Sequence, residues 1–198
     1  MWAPDVYQGS PTSVTIFFAI LPKIAALSVF IRFLYVPFIN LIDQWQTIII
    51  FVSIASMVFG AVAAIGQKNL KRLMAYSSIS HMGFALAGLA VGTNEGIQSS
   101  LIYISIYLLM NLAFFSCLFM LKRNDIYHED LSDLSGLSKN HPILALCLLI
   151  SLFSLAGIPP LAGFFAKFYI FMAVIKEEMY FLAIVGLLST VVAAFYYL

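Results

Sequence analysis

The chain has 198 residues, 63% hydrophobic and only 10% charged, with a formal net charge of +1. Soluble domains carry about 25% charge, so a mean hydropathy of +1.01 excludes an ordinary soluble fold and describes an all-α polytopic membrane protein whose first partner is the lipid bilayer. The net charge says nothing about nucleic acid, but the basic residues form no basic stripe and no nucleic-acid partner is expected; Trp2-Ala3-Pro4-Asp5 lacks the charged start and apolar run of a signal peptide.

About six transmembrane helices are expected. The chain opens on a polar turn, Pro4 to Pro11, and stops at Tyr197-Leu198 inside an apolar segment, so it reads as part of something longer. Segment one runs from Thr12 to Tyr35, ahead of Pro37, and segment two from Thr47 to Gly66, ahead of Gln67-Lys68-Asn69-Leu70-Lys71-Arg72. Segment three, Leu73 to Val91, is the most polar, with Tyr76, Ser77, Ser78, Ser80 and His81; segment four runs from Gly96 to Leu121. In the connection Lys122 to His141, the spacing of Leu131, Leu134 and Leu137 suits a short interfacial helix. Segment five, Pro142 to Ile175, is too long for one straight span and is discontinuous over Gly157-Ile158-Pro159-Pro160-Leu161-Ala162-Gly163. Its prolines lack amide donors and free carbonyls, which membranes tolerate only inside protein or beside a wet cavity. Half-helices around a cavity build ion sites in transporters, although a packing kink would leave the same trace. Segment six starts near Met179.

With alternating spans, Lys68, Lys71, Arg72, Lys122, Arg123 and Lys139 share one side, and only Arg32 and Lys176 flank the other. The positive-inside rule puts the 67–72 and 122–141 connections on the cytoplasmic or matrix side. Lys68, Lys71 and Arg72 read first as topology determinants and second as residues that load protons from that side.

Lys23 is the most telling residue. It lies about 12 residues, roughly 18 Å, from either end of segment one, beyond the reach of snorkelling, and Pro22 opens the helix beside it. An ammonium at that depth costs about 2.5–3.5 kcal/mol on insertion scales, so it requires a polar partner, a water path or a function. One reading is a proton carrier, since burial is able to bring an amine's ordinary value of about 10.4 toward neutrality; the other is a fixed ion pair with a carboxylate outside the chain. Lys167 follows the break in segment five, nine residues before Lys176. His81, a third of the way into segment three, suits a proton relay or a hydrogen bond tying helices together. Asn111 reads as interhelical glue, His128 and His141 as solvated, and Cys117 and Cys147 as inert buried thiols. The histidines are too scattered for a metal site, and no nucleotide-binding, nucleophile or redox motif is present.

Four stretches carry a family resemblance: Trp2 to Thr12, Pro22-Lys23-Ile24-Ala25-Ala26, Asn69 to Gly83, and Leu155 to Tyr169. In that order they resemble the antiporter-like membrane subunits of NADH–quinone oxidoreductase (respiratory complex I), the last looking most like the N-type branch. The resemblance implies a fourteen-helix fold of two inverted repeats, with 1–35 ending the first half-channel and including the central helix, and 47–198 forming the second. It implies that Lys23 is the central lysine, Lys167 the basic residue exchanging with the outer side, and His81, Ser80, Tyr107 and water candidate relay members. The first half-channel's glutamate and lysine would lie upstream, so this stretch alone would not pump. M-type subunits carry glutamate at the place of Lys167 and L-type subunits histidine at that of Lys23; Leu101 to Leu121 also lacks the L-type lysine. Neighbouring membrane subunits of complex I would be its partners, in a bacterial or mitochondrial inner membrane. NADH and quinone would be used by the whole complex, with no cofactor bound by this chain. A subunit of a multisubunit cation/proton antiporter and a structural subunit with ion-paired lysines are the alternatives.

Overall fold

The computed structural model describes residues 2–123, 126–127 and 129–198. The first helix, α1, Ala3–Gly9, replaces the expected polar turn. Pro4 in its first turn needs no amide partner there, and Asp5 complements the positive end of the helix. Segment one is α2, Thr12–Tyr35, as read from the sequence. Segment two is α3, Ile42–Ile65, five residues longer at its start; Asp43 suits its first turn, and Gln46 Nε2 donates to the Ala90 carbonyl at 2.9 Å.

Segment three is α4, Leu70–Ala90, which begins early because Asn69 Oδ1 accepts the amides of Lys71 (3.0 Å) and Arg72 (3.2 Å). Both basic residues therefore lie in the helix, and His81 moves from a third of the way along to the middle. Segment four is α5, Asn94–Met120, whose N-cap Thr93 Oγ1 accepts the Gly96 amide.

The connection differs from expectation. It contains a short hairpin, β1 Lys122–Arg123 against β2 Ile126–Tyr127, then a 3-10 turn at Leu131–Leu134 and a four-residue α6, Leu137–Asn140. Gly136, at φ +78°, separates the last two, so no single interfacial helix forms. His141 is exposed as expected, and His128 lies outside the described residues. Segment five is two 15-residue helices, α7 Pro142–Ala156 and α8 Ala162–Lys176, and segment six is α9, Tyr180–Tyr197. At about 22 Å each, α7 and α8 are too short to span alone and cross the bilayer as one interrupted element.

Polar α4 sits at the centre, against α1, α3, α5 and α8. Ser77, Ser78, Ser80 and His81 are all buried, as a polar helix in hydrocarbon requires. Ser53 of α3 donates to the Gly83 carbonyl at 2.7 Å, and Ser80 donates back to the Met57 carbonyl at 3.3 Å. Outward faces such as Val29, Phe51, Leu188 and Val191 are apolar and exposed. Cys117 is buried, but Cys147 is exposed on α7, correcting the expectation of two buried thiols. Tyr35 bonds to Leu89 at one end of the bundle, where Lys176 also pairs with Glu95 at 2.6 Å. Lys71 and Arg72 gather at the other end, where Arg72 pairs with Asp5 at 2.9 Å.

Candidate proton-transfer site

The break in segment five is built around a backbone account. Gly157 ends α7 at φ +90°, and its amide reaches the Phe153 and Ser154 carbonyls (3.1 and 3.0 Å), while the Ile158 amide also reaches Phe153 (3.1 Å). The next two carbonyls are left to a side chain. Lys167, from the second turn of α8, folds back so that Nζ donates to the carbonyls of Ala156 at 2.9 Å and Leu155 at 3.3 Å. A cation at the negative end of a half-helix is favoured by charge as well as by hydrogen bonding. The Gly163 amide donates to Ser154 Oγ at 3.1 Å, holding the start of α8 against α7. Pro159–Pro160 is cis within this turn.

Lys23 is half-buried at mid-bundle beside Pro22. Its Nζ donates to Tyr107 Oη at 2.9 Å and lies 5.0 Å from the Tyr107 ring centre and 5.7 Å from that of Tyr7. It faces a cavity of about 510 Å³ lined also by Tyr7, Ser56, Ser78 and Met82. Among the described residues, neither Lys23 nor Lys167 pairs with a carboxylate.

His81 stands between them. Nδ1 is 2.6 Å from Tyr103 Oη, Nε2 is 3.2 Å from Tyr197 Oη, and Tyr197 Oη in turn bonds Ser77 Oγ. A neutral imidazole donates through one nitrogen and accepts through the other, so both links are satisfiable together. The Tyr107 ring lies 4.8 Å from the imidazole. On the far side, Tyr103 stacks on Phe84 at 5.9 Å, and Lys167 Nζ lies 5.4 Å over the Phe84 ring. Two hydrogen-bonded clusters thus flank the line from Lys23 to Lys167, joined by ring contacts.

The structure gathers Lys23, Tyr107, His81 and Lys167 into one region. Ser80 is not with them, because its hydroxyl serves the Met57 carbonyl of α3. Asn111 is not interhelical glue either: its Nδ2 donates to the Tyr107 carbonyl of its own helix at 2.9 Å. Tyr7, Ser77, Tyr103 and Tyr197 were not singled out from sequence. The pairs Ser77/His81 and Tyr103/Tyr107 are each four residues apart on one helix face, which was the available signal.

A discontinuous span capped by a buried lysine, with a second lysine and a histidine inside the same bundle, defines a membrane module of the antiporter-like fold. The model of the family described as NADH:quinone oxidoreductase/Mrp antiporter, transmembrane, matches residues 1–193, and the chain belongs to that family. It is an integral membrane protein. Its particular likeness is to NADH-quinone oxidoreductase subunit N: that of Pelagibacter ubique is 80% identical over 198 residues, all of this chain and 42% of the relative. That of Parvibaculum lavamentivorans is 57% identical, covering 41% of the relative. Among solved structures, a chain of respiratory complex I from Thermus thermophilus with bound Aureothin superimposes with a TM-score of 0.84 at 34% identity, over 99% of this chain and 42% of that one. A chain of the Mrp complex from Dietzia sp. DQ12-45-1b gives 0.92 at 25% identity, over 99% and 36%. The chain spans about two fifths of the length of the curated relatives it matches.

Proposed function

We propose that this chain forms part of a proton-translocating subunit of the N type in a respiratory NADH–quinone oxidoreductase. Lys23 holds and passes a proton, Lys167 exchanges one at the outer side of the second half-channel, and His81 relays between them. On this reading residues 47–198 are the second half-channel repeat, and 1–35 carry the end of the first with the central helix. NADH and quinone are used elsewhere in the complex, whose other membrane subunits are the partners, and this chain binds neither. The observation that carries the reading is the placement of two intramembrane amines, without carboxylate partners among the described residues, on either side of a histidine whose two nitrogens both meet hydroxyls. In the intact subunit, Lys23→Ala is expected to reduce NADH-driven proton pumping and Lys23→Arg to leave it unrestored, because guanidinium does not release its proton at neutral pH. Normal pumping by the alanine variant overturns this reading.

The closer superposition on the Mrp chain favours a second reading, a subunit of a cation/proton antiporter working without a redox enzyme. Genes for a respiratory peripheral arm beside this reading frame, or a short antiporter operon in their place, separate the two. Lysines that act only as fixed anchors would stay charged throughout, so titration of Lys23 near neutral pH tests that third reading.

A further inference from the structure

Lys71 occupies the first turn of α4, where a basic residue ordinarily reaches out to solvent, yet it is 2% exposed. Its Nζ meets Glu129 Oε1 at 2.5 Å and donates to the Ser10 carbonyl at 2.9 Å. The position of Glu129 is fixed by backbone. Leu70 N donates to the Glu129 carbonyl at 2.7 Å, Leu131 N to the Lys68 carbonyl at 2.9 Å, and Asn69 bridges to Asp130. A buried ion pair adds little stability over apolar packing, so its presence points to a use. Glu129 is 19% exposed, and the same oxygen accepts Thr12 Oγ1 at 3.5 Å. Thr12 and Thr15 are fully buried one turn apart on α2; Thr15 Oγ1 is 2.8 Å from Ser10 Oγ and donates to the Tyr7 carbonyl at 3.3 Å. Tyr7 lines the cavity that Lys23 faces. One carboxylate is thus part-exposed on one side and meets the buried Thr12 hydroxyl on the other, three residues before Thr15, whose hydroxyl reaches the backbone of Tyr7 at the edge of the cavity that Lys23 faces.

We infer that Glu129, held by Lys71, is the carboxylate that loads protons from the inner side onto the route to Lys23; this rests on the reading of Lys23 as a proton carrier. The carboxylate takes a proton from hydronium in the inner solution and becomes the acid. It passes that proton to Thr12 Oγ1 as the Thr12 hydroxyl releases its own to water, which restores the carboxylate and carries the proton on past Thr15 toward the cavity. The free amine of Lys23 binds the arriving proton as ammonium. Only O–H and N–H bonds change, and one proton moves per cycle.

The test is made in the complete complex in inverted membrane vesicles, with proton pumping followed by a fluorescent pH-gradient dye and the amount of assembled subunit measured alongside. Glu129→Gln is expected to lower NADH-driven pumping to below about a third while the subunit still assembles, and Glu129→Asp to keep most of it. Thr15→Val, which removes the hydroxyl at nearly constant volume, is expected to slow pumping in the same way. A merely structural clamp on Lys71 would move assembly and pumping together, whereas a loading carboxylate loses pumping with assembly kept. Unchanged pumping in an assembled Glu129→Gln complex overturns the proposal; if that variant does not assemble, unchanged pumping in Thr15→Val does so. Lys23→Ala, measured in parallel, separates the two levels: normal pumping there removes the proton-carrier reading itself. Loss there with normal Glu129→Gln and Thr15→Val removes the loading site alone.

Discussion

The two intramembrane amines are satisfied in different ways. Lys167 is fixed by two backbone carbonyls that the interrupted helix leaves over, and its hydrogen bonds are those of a cap. Lys23 has one hydroxyl, two ring faces and a cavity, partners among which a proton and its water are more easily exchanged. The Tyr107 hydroxyl is therefore the direct neighbour whose loss the Lys23 amine should register most. Tyr107→Phe keeps the ring under Nζ and removes the acceptor, a hydrogen bond to a charged group worth about 1.5–3 kcal/mol where water does not replace it. The expected outcome is an assembled subunit with slowed pumping and a lower thermal midpoint, read by vesicle assay and by melting of the purified complex. Unaltered pumping would remove Tyr107 from the route. Lys23, Lys167 and His81 were legible because a polar residue stands out in an apolar run. Tyr103 and Tyr197 were not, since a tyrosine in such a run reads as bulk or as an interfacial anchor until a partner from another helix is known.

At the scale of elements, the break in segment five was visible as Gly-Ile-Pro-Pro, because glycine and paired prolines leave a helix few ways to continue. Helix beginnings were less visible. Asn69 draws two basic residues into α4, and Pro4 with Asp5 turns a polar stretch into α1, so local capping outweighed the expectation that charge marks a loop. The short pieces of the 129–140 region depend on pairing with the start of α4, a contact that sequence spacing does not encode. Gly157 combines both kinds of demand. Its φ of +90° disfavours any side chain, and a Cβ there would crowd the Lys167 amine and its methylenes. Gly157→Ala is expected to destabilise the subunit by about 1–3 kcal/mol and to displace the Lys167 cap. Melting of the purified complex checks the first effect and proton pumping the second; a variant matching the parent in both would show that the turn is not under this constraint.

The whole molecule is a bundle with two chemically distinct ends. One end holds the α1–α2 junction, Lys71, Arg72 and the 129–140 region; the other holds the α4–α5 and α8–α9 turns, with Glu95 paired to Lys176. The basic residues concentrate at the first end, which places it on the cytoplasmic or matrix side. Both the direction of proton movement and the role given to Glu129 depend on that orientation. Lys139 and Glu177 are exposed at opposite ends, so single cysteines there report it directly. With Cys117 and Cys147 replaced by serine, a membrane-impermeant maleimide is expected to label Lys139→Cys in inverted vesicles and Glu177→Cys in right-side-out vesicles. The reverse pattern would turn the bundle over and make Glu129 an outer-side residue. Labelling of both cysteines from one side would instead require an even number of crossings between them, contradicting α7 and α8 as a single interrupted span, because that span is the whole path from residue 139 to residue 177.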